Sequence, residues 1–187
     1  MKKAYVFMAN GFEDIEAIGT IDILRRGGVE VTTVSITGSN MVESAHGINI
    51  EADIMIEDAD FSDADALVLP GGLPGATNLN DHEGVRNALL IQAEKGKIVA
   101  AICAAPLVLG GLGLVSGKRA TCYPGFEQYL EGAEYTHELC TVDGNVTTGE
   151  GPGATFDFAY ALLAQLEGGE IVAQLQQGMM YNHLTGK

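Results

Sequence analysis

Ile98-Val-Ala-Ala-Ile-Cys-Ala-Ala-Pro106 decides how this chain is read. The apolar run after Lys97 mixes Val and Ile with Ala, as a strand buried on both faces of a parallel sheet requires. Pro106 fits the first turn of a helix, where its missing N–H costs no hydrogen bond. Cys103 then stands at the corner between strand and helix, flanked by the small residues Ala104 and Ala105. Such a corner lifts one side chain beside a helix N-terminus, where free N–H groups and the dipole favour a thiolate. Hydrolase nucleophile elbows follow the same strand–turn–helix logic. The competing reading is a small, inert core cysteine. From residue 98 to 115 the chain has no charge, but Pro106, Gly110, Gly111 and Gly113 punctuate it as strand, corner and helix rather than as a membrane span.

Outward from this stretch the chain alternates between strand and helix patterns. Upstream, residues 4–9 read as a strand and 14–26 as a helix. Ile15, Ile18, Ile21, Ile23 and Leu24 form that helix's apolar side, and Gly27-Gly28 ends it. Residues 29–36 and 66–69 read as further core strands, with a small hairpin at 41–42 and 48–50 around His46-Gly47. Residues 81–95 read as one helix. Downstream come a short strand near 120–122, a short helix at 126–130, a hairpin of 139–142 and 146–148, and helices at 154–166 and 170–177. Repeated strand–helix alternation predicts an α/β three-layer sandwich, a mostly parallel sheet with helices on both faces. No linker or repeat interrupts it, so residues 1–187 are read as one domain.

Composition narrows the function classes. A chain that is 47% hydrophobic but only 6% aromatic, without Trp, suggests an aliphatic α/β core. Its net charge of −15 argues against a nucleic-acid partner, which would need clustered Lys and Arg. Cys103, Cys122 and Cys140 are odd in number and lack metal-ligand spacing, as in a reduced intracellular set. The opening Met1-Lys2-Lys3 precedes only a short apolar run, with Glu13 and Asp14 close behind, so no signal peptide is read. The expectation is a soluble, cytoplasmic protein without a membrane partner.

Ligands in open α/β sheets bind beyond the carboxyl ends of the strands. Four loops are expected there: 11–16, 70–75, 103–106 and 149–153. Gly71 and Gly72 permit close backbone approach, so their N–H groups would suit an oxyanion if Cys103 attacks a carbonyl. An ordinary Gly/Pro turn is the plainer alternative. No phosphate-cradling glycine pattern occurs at a strand–helix junction, so no nucleotide cofactor is supported. Glu16, in the first turn of its helix, is the second candidate; complementing the helix dipole is its plainer role.

Four ordered motifs together resemble the ThiJ/PfpI superfamily: Asn10-Gly-Phe-Glu-Asp-Ile-Glu16, Val68-Leu-Pro-Gly-Gly72, Ala101-Ile-Cys-Ala-Ala-Pro106 and Gly151-Pro-Gly-Ala-Thr-Phe156. The likeness is to the branch of the parkinsonism-associated protein deglycase and its bacterial relatives. It implies a flavodoxin-like fold and a homodimer. It also implies a site in which Glu16 hydrogen-bonds a nucleophilic Cys103 while N–H groups near Gly72 and Ala104 line the pocket. A protonated Glu16 donating to a thiolate would have a raised pKa, and that of Cys103 would fall.

This chain departs from the family at several positions. Ala104 replaces the His that follows the cysteine in peptidase-like members, which disfavours a Cys–His peptidase. Tyr123, within Cys122-Tyr-Pro124, stands where human-like members carry His, and is expected to line the pocket. His46 and Glu150 stand where that branch places arginines. Glu150 would repel anions, and His46 is the nearest replacement acid or base, with a surface turn as its plainer reading. His82, His137 and His183 are read as surface residues.

Two functions of different classes follow from the resemblance. One is a cysteine-dependent glyoxalase or deglycase, needing neither metal nor cofactor, acting on methylglyoxal-like α-oxoaldehydes or their adducts. The other is a redox sensor or stress-linked holdase built on an oxidisable Cys103.

Overall fold

The computed structural model describes residues 1–186. Its centre is formed by the strands whose sequences lack polar alternation. These are β6 (Ala66–Leu69), β7 (Ile98–Ile102) and β11 (Val146–Gly149), in which all but Ile98 are buried. Strands buried on both faces need helices above and below, and the chain supplies them.

Strand β1 (Lys3–Met8) pairs in parallel with β6 on one side and with β2 (Glu30–Ser35) on the other. With β10 (Cys140–Asp143) and β5 (Ile54–Met55), the sheet runs β10-β11-β7-β6-β1-β2-β5. Its edges are β10, the one antiparallel member, and the two-residue β5. Helix α1 (Asp14–Arg26) carries the chain from β1 outward to β2, and α3 (Glu83–Glu94) carries it from β6 the other way to β7. Right-handed crossovers in opposite directions place those helices on opposite faces. Helix α5 (Thr155–Glu167) packs on α1. A Cβ at Gly19 would meet the Thr155 methyl at 2.8 Å, and one at Gly27 would collide with Leu163. Helices α6 (Gly169–Gly178) and α7 (Tyr181–Thr185) follow α5. This is the flavodoxin-like three-layer sandwich. Strand order reverses between β1 and β6, so the ligand crevice falls between the loops after those two strands.

Several elements differ from the sequence reading. The helix expected at 81–95 is found as α3; a separate helix before it, α2 (Gly75–Asp81), was not expected, and His82 divides the two. His82 is extended there (ψ 111°), and its Nδ1 accepts the Val85 N–H at 3.3 Å, so it caps a helix instead of decorating the surface. Ile15 and Ile18 are 55% and 45% exposed, so the apolar stripe of α1 is wider than the part that faces the core. The short helix expected at 126–130 is a single 3₁₀ turn, Glu127–Tyr129. Helix α4 (Pro106–Gly111) is only six residues long. The expected hairpin is β3 (Met41–Glu43) with β4 (Asn49–Glu51). Arg119–Ala120 (β8) and Glu134–Tyr135 (β9) make a small parallel pair. Among the described residues no helix is long and apolar enough to cross a membrane.

Candidate active site

Cys103 follows the last residue of β7 and is held with φ at +65°, a left-handed conformation that non-glycine residues rarely adopt. Two backbone bonds fix it there. Its N–H donates to the Gly149 carbonyl at 2.9 Å, and its carbonyl accepts the Tyr123 N–H at 2.8 Å. The strained corner turns the thiol away from the strand direction and toward the β1–α1 loop, leaving it 8% exposed.

That loop leads into Glu16, which is fully buried on the first turn of α1. The turn is pinned from both ends. Glu13 accepts the Glu16 N–H at 2.8 Å, and the Glu13 N–H donates to the Gly71 carbonyl at 3.0 Å. Gly71 N–H in turn donates to Glu16 Oε2 at 2.8 Å. A Cβ at Gly71 would lie 2.7 Å from both that oxygen and the Cys103 Cβ, so only glycine fits between acid and thiol. Gly72 has φ +88°, and a Cβ there would strike the Glu13 backbone nitrogen. The other carboxyl oxygen, Oε1, is buried without a hydrogen-bond partner, and the Cys103 thiol lies within reach of the carboxyl group. The structure thus brings together Glu16, Gly72, Cys103 and Ala104. It also assigns the Gly71 N–H to the carboxylate and not to an oxyanion.

Burial governs both ionisations. It pushes Glu16 up to about 7, against the opposing hydrogen bonds of Cys103 and Gly71. Burial, followed by the charge and hydrogen bond of Glu16, pushes the Cys103 thiol up to about 12. The expected fall for Cys103 is therefore not found. Helix α4 is short, and an ionised carboxylate is the thiol's nearest charge. The N–H groups of Gly72 and Ala104 point at the sulfur and act in the other direction. Neutralising Glu16 removes both of its contributions, so proton and negative charge are traded within the pair.

Tyr123 and His46 fall on different sides of this centre. Tyr123, 46% exposed, lies beside Gly151, where a Cβ would meet its ring at 3.1 Å. His46 lies in the turn between β3 and β4, and its Nδ1 is 2.6 Å from Asp14 Oδ2. That hydrogen bond raises the His46 pKa. Burial opposes ionisation of Asp14, but hydrogen bonds from Ser44 and His46 outweigh it and hold the carboxyl below its usual range. Glu13, Asp14 and His46 bring ligand atoms within 4.8 Å of one another, the one such group among the described residues. All three groups are already engaged, Glu13 by the helix N-terminus and Asp14 and His46 by each other. Sequence reasoning did not single out Gly71 as the carboxylate's anchor or Gly149 as the elbow's. Nor did it find Glu13 as an N-cap, a position where glutamate is not among the preferred types.

A positive-φ cysteine after a central strand, with a buried glutamate against it at a switch point, defines a flavodoxin-like protein of the cysteine-elbow type. The chain belongs to the DJ-1/PfpI family, which it matches over residues 2–165. It is 40% identical to protein DJ-1 homolog B of Arabidopsis thaliana over 90% of its own length, though it spans only 39% of that longer protein. It is 34% identical to a Caenorhabditis elegans protein named glutathione-independent glyoxalase DJR-1.2, covering 84% of each. A crystal structure of a DJ-1 superfamily protein from Salmonella typhimurium superposes with a TM-score of 0.92 at 36% identity, covering 96% of this chain and 98% of that one.

Proposed function

We propose that the chain is a cysteine-dependent enzyme acting on small α-oxoaldehydes such as methylglyoxal, or on their adducts. The observation that carries this reading is the buried carboxyl of Glu16, held by Gly71 against the thiol and raised to about 7. A base with that pKa is matched to proton transfer at neutral pH. Packing alone has no use for a buried acid with an unpartnered oxygen.

In this mechanism the Cys103 sulfur adds to the aldehyde carbon, and Glu16 relays the thiol proton to the carbonyl oxygen, giving a hemithioacetal. Glu16 then removes the proton on that carbon and delivers it to the neighbouring carbonyl carbon through an enediol, while the hemithioacetal hydroxyl gives its proton to the ketone oxygen. The former aldehyde carbon is oxidised to a thioester while the ketone carbon is reduced to an alcohol. Water cleaves the thioester, which frees the thiol and releases lactate. The N–H groups of Gly72 and Ala104 lie where charge passes between sulfur and oxygen. Glutathione is not required, in keeping with the name of the nematode relative, a glutathione-independent glyoxalase. Residues 1–187 act as one domain. The working form is a homodimer, formed through the face that exposes Ile15 and Ile18.

The test is lactate formation from methylglyoxal without added thiol, comparing the wild type with Cys103→Ser and Glu16→Gln. Cys103→Ser should abolish turnover, and Glu16→Gln should lower it by about 10²–10⁴-fold. If the wild type makes no more lactate than Cys103→Ser, the aldehyde reading fails and peroxide oxidation of Cys103 becomes the activity to measure.

A further inference from the structure

The groove beside the elbow carries a charge of one sign. Tyr123, Pro124, Leu139, Glu150 and the turn from Gly151 line a cavity of about 400 Å³. Both walls are tied to Cys103, one through the Tyr123 N–H and the other through Gly149, the residue before Glu150. The Glu150 N–H donates to the Leu139 carbonyl at 2.9 Å, which sets the second wall. Tyr123 and Leu139 are 46% and 52% exposed, so the groove presents apolar surface that a bound molecule would cover. Among the described residues no Lys or Arg lines it. Glu127 stands nearby and accepts the Gly125 N–H at 2.9 Å. After burial, the charges of Glu127 and Glu150 are what hold the adjacent Cys122 thiol up at about 12, so both carboxylates converge on this side of the elbow.

Resting on the reading of Cys103 as the aldehyde nucleophile, we propose that Glu150 sets the charge selectivity of the site. Neutral and cationic aldehydes or adducts enter along Tyr123, and α-oxo acids and other anions are turned away. A carboxylate beside an exposed aromatic ring recognises a cation twice, by charge and by the ring face. An anion there meets repulsion with no counter-charge.

The experiment uses the whole chain and needs no turnover. Cys103 is modified with a trimethylammonium-bearing and with a sulfonate-bearing methanethiosulfonate, and labelling is read by peptide mass so that Cys122 and Cys140 do not contribute. The wild type should favour the cationic reagent. Glu150→Gln should lower the cation-to-anion rate ratio by roughly three- to tenfold, and Glu150→Lys by more. Glu94→Lys makes the same change in net charge at the far end of the sheet, and should leave the ratio within about twofold. A ratio untouched by both Glu150 changes, or moved as far by Glu94→Lys, overturns the proposal. In parallel, Glu150→Lys should shift kcat/KM from methylglyoxal toward glyoxylate. If no variant turns over any aldehyde, the enzyme reading falls while the reagent ratio still decides the role of Glu150.

Discussion

Glu16 has no exposed surface and one carboxyl oxygen without a backbone donor, so its charge is expensive wherever the protein is folded. Its pKa is raised from 4.5 to about 7, so between those values the folded chain holds a proton that the unfolded chain releases. The stability this provides is complete below pH 4.5 and is lost as pH rises through 7, a swing of roughly 3 kcal/mol. Glu16→Gln cannot titrate and should remove this contribution, leaving the shallower loss of stability with rising pH that comes from His46, whose pKa Asp14 raises above 6.5. Urea unfolding at half-unit steps from pH 4.5 to 8 checks it, and parallel curves for wild type and variant would remove Glu16 as the source. Asp65, held down at about 2 by Lys97, the Lys3 N–H and Lys2 against its own burial, acts below this range and does not blur the comparison.

The elements show how one such residue is held in place. Helix α4 begins three residues after the elbow, and Gly110 lies flush on the Tyr129 carbonyl of the 3₁₀ turn that follows Tyr123. A methyl group at Gly110 would strike that oxygen, and backbone yields less readily than a side-chain end. Gly110→Ala should destabilise the fold by about 1–3 kcal/mol although alanine favours helix, and should displace the segment carrying Tyr123. Thermal unfolding measures the first effect, and the rate of Cys103 alkylation the second. This contact was not legible in the sequence, which marks Gly110 only as punctuation. Helix α1, the strand of Cys103 and the hairpin around Asp143 to Asn145 were legible, because their periods and caps are local. The break at His82 was not, since a histidine ring nitrogen acting as a helix cap follows from no usual capping preference. At the site, the motifs carry Glu16, Gly72 and Cys103 plainly. Their pairing, and the use of Gly71 as the carboxylate's donor, depend on the strand order that brings β1, β6 and β7 side by side. The rise of Glu16 was legible, but the direction of the Cys103 shift was not: a helix dipole and a protonated Glu16 both suggest a fall, whereas burial and the carboxylate's charge decide it.

At the scale of the molecule, the part of α1 that does not face the core adjoins further apolar surface. Ile15 and Ile18 lie next to the β3–β4 hairpin, which is bonded to the start of α1 through Ala45 N–H to the Phe12 carbonyl at 2.8 Å. Met41 and Ile48 on that hairpin are 51% and 55% exposed, and Ile18, Ile21 and Ile50 form the apolar part of a shallow groove beside it whose rim carries Asp22, Arg25, Glu51 and Asp53. Hydrophobic residues gathered on one face mark an interaction surface, whereas the same residues scattered would not. A chain with net charge −15 repels its own copies at low salt, so association through this face must be carried by apolar burial. Two expectations follow for a homodimer closed about α1. Raising salt should strengthen it by screening the repulsion. Ile18→Glu should weaken it by at least about tenfold, since the change removes buried apolar area and places a carboxylate on each side of the two-fold. Sedimentation equilibrium of wild type and Ile18→Glu at 50 and 500 mM salt separates the cases. A wild type that stays monomeric at micromolar concentration in both salts would exclude the dimer. A dimer indifferent to Ile18→Glu would place its interface elsewhere.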